Sequence, residues 1–194
     1  MGAIFQSLGR TILAGVVILA VMMGIAGTFG KLGEMSFWTF FMRWLHVLSG
    51  VLWIGLLWYF NFVQIPSMPK IPDEQKPAIS KVIAPEALFW FRWAAMATLV
   101  TGLLLAGMNG YIGKALGLQA PFHAIGIGMW LAIVMWFNVW FIIWPNQKKA
   151  LGIVTVEAAE KAAAARTAML ASRFNTMLSV PMLYCMVAQQ NGGL

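Results

Sequence analysis

The chain has 194 residues, of which 61% are apolar and 10% charged, far from the roughly 45–50% and 25% of a soluble domain. With a mean hydropathy of +0.79 it reads as a single all-α integral membrane domain spanning residues 1–194. A net charge of +7 would suggest nucleic acid for a soluble protein; here the lysines and arginines gather in particular loops, so they report orientation in lipid and no nucleic-acid partner is expected.

Five transmembrane helices are expected. The first, residues 11–29, follows a short start carrying Arg10, and its apolar core exceeds the length of a signal-peptide core, so it is read as uncleaved. The second covers 37–62 and ends at Ile65-Pro66. Five prolines between Pro66 and Pro85 then predict an irregular surface loop, longer than a simple connection needs. The third span, 86–108, opens with the aromatic cluster around Arg92, which suits a headgroup region, and closes on Thr101, Gly102, Ala106 and Gly107, small residues that permit close helix contact. Residues 109–120 make an outer turn or interfacial helix. The fourth span, 121–144, stops at Pro145. The last stretch takes Thr155 as N-cap, with Glu157 in the first turn, and predicts one long helix: an extension over 155–166, then a span over 167–188 kinked at Pro181. The ten tryptophans mark interfaces and packing.

Orientation follows from the cations. Arg10, Lys70, Lys76, Lys81, Lys148, Lys149, Lys161 and Arg166 fall on one face; Lys31 and Lys114, with Arg43 just inside, fall on the other. The first face is expected to be cytoplasmic, giving the N-terminus inside and the C-terminus outside.

Two groups of residues then call for chemistry. His46 lies nine residues into the second span, about 13 Å deep at ~1.5 Å per residue, where an ionisable group is costly without a partner. Arg43, Gly50 and Trp53 share its helical face, within about 60°. Imidazole can ligate haem iron, Gly50 lets a flat ring approach the backbone, and Arg43 can meet a propionate; a neutral histidine hydrogen-bonded to a neighbouring helix is the plainer alternative. His123, the only other histidine, also enters from the outer side, so a b-type haem held by His46 and His123 together, or by His46 alone, is expected. The lone Cys185 excludes a C-x-x-C-H site for covalent haem attachment, and two histidines without a nearby carboxylate or thiolate make a poor shell for copper or zinc. In the inner half, Asn61, Gln64, Glu86, Arg92, Asn138, Arg173 and Asn175 form a second polar group, read either as interhelical hydrogen bonding or as a substrate, quinone or proton-entry site.

The runs WLHVLSGVLWIGLLWYFNFVQIP, IIWPNQKKALG and RFNTMLSVPMLYCM resemble the urate oxidase N-terminal family, the membrane domain of a bacterial urate-oxidising protein, over about Trp38 to Met186. The shorter core H-x-x-x-G-x-x-W-x-G is also similar to the histidine-bearing helix of small membrane protoporphyrinogen oxidases and copper-resistance membrane proteins. The resemblance implies a haem-associated protein of the bacterial inner membrane, with His46 as the matching histidine and an oxidation coupled to the respiratory chain. Full-length members carry a C-terminal cytochrome c domain; this chain is expected to be a short form without it, passing electrons to a separate acceptor such as a cytochrome c or a larger membrane complex. A non-catalytic accessory subunit, or the membrane component of a urate or other small-molecule oxidase, are the alternative functions.

Overall fold

The computed structural model describes residues 2–194; Met1, which the single-domain expectation includes, lies outside them. All regular structure among the described residues is helical. The chain forms two compact units, one ending at Phe41 and one running Met42–Leu194.

In the first unit a helical turn, Gly2–Phe5, precedes α1, Leu8–Ile25, and a 3-10 turn, Thr28–Lys31, follows it. No residue of α1 is buried. The Trp38 indole N–H donates to the Leu32 carbonyl at 2.9 Å and its ring meets Phe37 and Phe41 edge-on, which anchors the turn before the next helix.

Three longer helices follow: α2, Met35–Lys70, α3, Lys76–Met108, and α5, His123–Ala150. With α1 they make, among the described residues, four helices long and apolar enough to cross a membrane. A short α4, Ile112–Leu116, lies between α3 and α5, and α6, Ala158–Asn191, ends the chain. Residues 167–188, the expected fifth span, lie within α6, which is not one of these four and carries Glu160, Lys161, Arg166 and Arg173 as well as the buried Ser172, Asn175 and Ser179.

The prolines behave differently from expectation. Residues 66–85 are not an irregular loop: only Ile71–Gln75 interrupt the helices. Likewise α5 does not stop at Pro145 but continues to Ala150. The reason is local. Three π-helical turns, Tyr59–Gln64, Ile79–Ile83 and Asn138–Ile143, each end two residues before a proline, Pro66, Pro85 and Pro145. Proline removes one N–H and its ring clashes with the carbonyl four residues back; a widened turn upstream shifts those carbonyls and lets the helix carry on. The N-cap of α6 is Glu157 rather than Thr155, with Glu160 in the first turn, and the helix runs unbroken through Pro181.

Within the second unit α6 packs along α5. A Cβ on Gly128 would sit 3.1 Å from the Cys185 Cβ, and one on Gly126 would collide with the Ala115 carbonyl of α4, so both glycines mark close backbone approach. Trp53, Leu57, Phe91, Met135 and Val139 fill the core between α2, α3 and α5. At the end of α6, Gln189 accepts from the Ile125 N–H at 3.1 Å and donates to the Pro121 carbonyl at 3.0 Å, so it satisfies one of the orphan N–H groups that begin α5.

Candidate functional site

A cavity of about 690 Å³ lies among α2, α3, α5 and α6 of the second unit, inside the range of ligand and cofactor sites. Its wall is mainly apolar, and Arg43, His46, Gly50 and Trp53 all contribute to it, as their shared helical face predicts. The polar lining collects at one end: Arg43 near the start of α2, Tyr111 just after α3, and Gln190 with Asn191 at the end of α6. His46 sits one turn inward from Arg43.

The imidazole is held in a defined pose. Its Nδ1 lies 3.0 Å from the Thr98 carbonyl and 3.2 Å from Thr101 Oγ1. The Thr101 hydroxyl already donates to the Ala97 carbonyl at 2.6 Å, so Nδ1 carries the proton and donates to Thr98. Nε2 is then the unprotonated nitrogen, and it is bonded to no described residue. A histidine whose Nδ1–H is tied to a backbone carbonyl is oriented for ligation through Nε2. Gly102 makes the pose possible, since a Cβ there would stand 2.8 Å from His46 Cε1. Thr98 was not singled out by sequence reasoning, and Gly102 was read only as a helix contact; the signal available was the run of small residues near the end of the third span, which the half-buried His46 packs against.

His123 is not brought to this cavity. It is exposed at the first turn of α5, on the face continued by exposed Ile127, Trp130 and Val134, whereas Ile125, Met129, Ala132 and Ile133 supply the cavity wall. The two histidines lie on different sides of the bundle wall because residues 123 and 125 are about 200° apart on a helix. Three methionines of the lining, Met129, Met182 and Met186, went unremarked in the sequence. At the polar end, burial pushes the Tyr111 phenol up, and the charge of Arg43 partly opposes that shift.

The inner polar group divides. Asn61 Nδ2 donates to the Leu57 carbonyl at 2.9 Å and to Ser172 Oγ at 2.8 Å; Asn138 Nδ2 donates to Asn175 Oδ1 at 2.8 Å, and Asn175 Nδ2 to the Met135 carbonyl at 2.9 Å. With Trp58 Nε1 donating to Ser179 Oγ at 3.0 Å, these bonds stitch α6 to α2 and α5. Gln64 lines a separate pocket of about 230 Å³ with Gln147 and Ser172. Arg92 stacks on Trp144, while Glu86 and Arg173 are exposed. The seven residues therefore do not form one site.

Residues 113–192 match the urate oxidase N-terminal family. This is the family that the sequence motifs resemble, and the match points to a membrane-associated, oxidase-related group. It takes in α4 from Gly113, all of α5 and α6, and Gly192, with both IIWPNQKKALG and RFNTMLSVPMLYCM. The run holding His46 lies outside the residues matched to the urate oxidase N-terminal family. No curated protein and no solved structure matches the chain.

Proposed function

We propose that the protein is a b-type haem protein of the bacterial inner membrane, in which the cavity between α2, α3, α5 and α6 holds haem on His46 alone. The observation that carries this reading is the pose of His46, with Nδ1–H donated to Thr98 and Nε2 left free in a cavity of about 690 Å³. When bound, haem would supply a one-electron couple. The protein's own residues do the rest. The Thr98 carbonyl sets the imidazole tautomer, Gly102 admits the ring, and Arg43 with Tyr111 at the polar end can take carboxylates. Trp53, Ile54 and Met129, all buried, keep water from the apolar wall, the kind of surround that tunes a redox site. Among the described residues no three His, Cys, Asp or Glu side chains converge, so this donor set suits a macrocycle that brings its own equatorial nitrogens better than a bare ion.

On this reading the membrane is crossed five times, N-terminus inside and C-terminus outside, and electrons leave through a separate acceptor such as a cytochrome c. The family match supports an oxidation; urate or another small molecule is the candidate substrate. A second reading, an accessory subunit of a larger membrane complex, draws support from α1, an apolar helix without a single buried residue.

The deciding experiment is a reduced-minus-oxidised spectrum of purified protein expressed with haem supply, with haem quantified against protein. Wild type and His123→Ala are expected to show a stoichiometric Soret band and His46→Ala to lose it. Absence of haem from wild type overturns the proposal. A defined complex from native membranes, active despite His46→Ala, would establish the accessory reading instead.

A further inference from the structure

The haem reading leaves Arg92 unused. Its guanidinium carbon stands 3.3 Å from the centroid of the Trp144 ring, and Lys148 Nζ is 5.8 Å from the same ring. Beside them Trp93 and Trp140 meet edge-to-face at 5.5 Å, with Trp93 half exposed. Two donors in this cluster are buried without an acceptor, Arg92 Nη1 and Trp140 Nε1. No acid answers them. Both ion pairs among the described residues lie elsewhere: Asp73 holds Lys76, and Glu160 holds Lys149 at 2.7 Å. Glu86, six residues before Arg92 on α3, points to another side of the helix.

The depth of the cluster is informative. Arg92 is 17 residues from Asn109 and Trp144 is 21 residues from His123, distances of about 25 and 31 Å along their helices. Measured from the lysine-poor end, both therefore fall near the far edge of a hydrocarbon core about 30 Å thick, from which a long side chain reaches the headgroup region just beyond. We infer that Arg92, Trp144, Lys148 and the Trp93–Trp140 pair bind the phosphate headgroup of an anionic phospholipid on the lysine-rich side of the membrane. The complementarity is one of charge: two cations over one indole ring, with no carboxylate paired to either among the described residues, call for an anion. The guanidinium, kept planar against Trp144, presents its fork to phosphate, and the exposed indole of Trp93 offers an amphipathic surface for the glycerol region.

The test uses the full chain purified in neutral detergent, with phosphatidylglycerol, phosphatidylcholine or inorganic phosphate added. Bound lipid is counted by native mass spectrometry and stability is followed by Tm. Wild type is expected to retain phosphatidylglycerol and to rise in Tm with it, and to do neither with phosphatidylcholine or phosphate. R92Q is expected to weaken that binding about tenfold or more, the scale of one charge-assisted hydrogen bond. R92K, which keeps the charge but loses the planar fork, and K148Q, at the edge of the cluster, are each expected to weaken it less. Should R92Q not fold, R92K and K148Q decide. Equal binding of both lipids, an equal Tm rise with phosphate alone, or unchanged phosphatidylglycerol binding in the folded variants overturns the assignment.

Discussion

A histidine hydrogen-bonded to a neighbouring helix and a histidine ready to ligate a metal were alternatives in the sequence; at residue scale the structure shows the hydrogen bond, which occupies Nδ1 and leaves Nε2 for the ligation proposed above. This leads to a discriminating pair of variants. Gly102→Ala puts a methyl 2.8 Å from His46 Cε1 and is expected to lower the haem-to-protein ratio severely while helix content by circular dichroism is kept, since alanine favours a helix by up to about 1 kcal/mol over glycine. Thr98→Ala spares the carbonyl that holds Nδ1 and is expected to leave haem content near wild type; loss there would show that the carbonyl is not the orienting group. At the cavity's polar end, Arg43→Ala removes the charge that opposes the upward shift of Tyr111, so the phenol should ionise at still higher pH in a spectrophotometric titration.

Among the elements, α6 depends most on side-chain chemistry. Ser172, Asn175 and Ser179 recur at helical spacing on its buried face, and each bonds a group on α2 or α5 or lies beside one that does. Interhelical bonds in membranes average only about 0.6 kcal/mol, but Asn175 is fully buried and holds two partners. Asn175→Ala strands the Asn138 side-chain donor, at roughly 1–3 kcal/mol for a buried group left unpaired, and also loses the bond to the Met135 carbonyl, which keeps the Asn138 backbone N–H, so its Tm should fall below that of Asn138→Ala, and the double variant should lose less than the sum of the two. The connection between α2 and α3 behaves oppositely. Lys76, by hydrogen bond and charge, holds the Asp73 carboxyl below its ordinary value. A depressed carboxylate adds stability above its unfolded pKa and loses it as pH falls through the folded one. This pair is solvent-exposed and screened, so Lys76→Ala should raise the Asp73 pKa measured by NMR yet leave Tm at neutral pH unchanged. Four long apolar helices were legible from apolar runs; helix ends were not, because proline was taken as a stop and the π turns that accommodate it have no single-residue signature.

For the whole molecule, the proposed orientation is open to direct labelling. Cys185 is buried, so single cysteines can be read against it. E74C, between α2 and α3, is expected to react with membrane-impermeant maleimide only from the cytoplasmic side, and N191C, at the end of α6, only from the outside. Reaction of both from one side would remove one crossing and with it the five-span arrangement.

Composition and periodicity determined the membrane class, the all-helical build and the shared face of Arg43, His46, Gly50 and Trp53, since each depends only on local chemistry and a 3.6-residue repeat. Assembly decided what lies across from that face. The partnership of His46 with Thr98 and Gly102, the exposure of His123, and the stack of Arg92 on Trp144 all join residues distant in the chain. Such pairings are set by how helices rotate and pack against one another, and no spacing within a single helix encodes them.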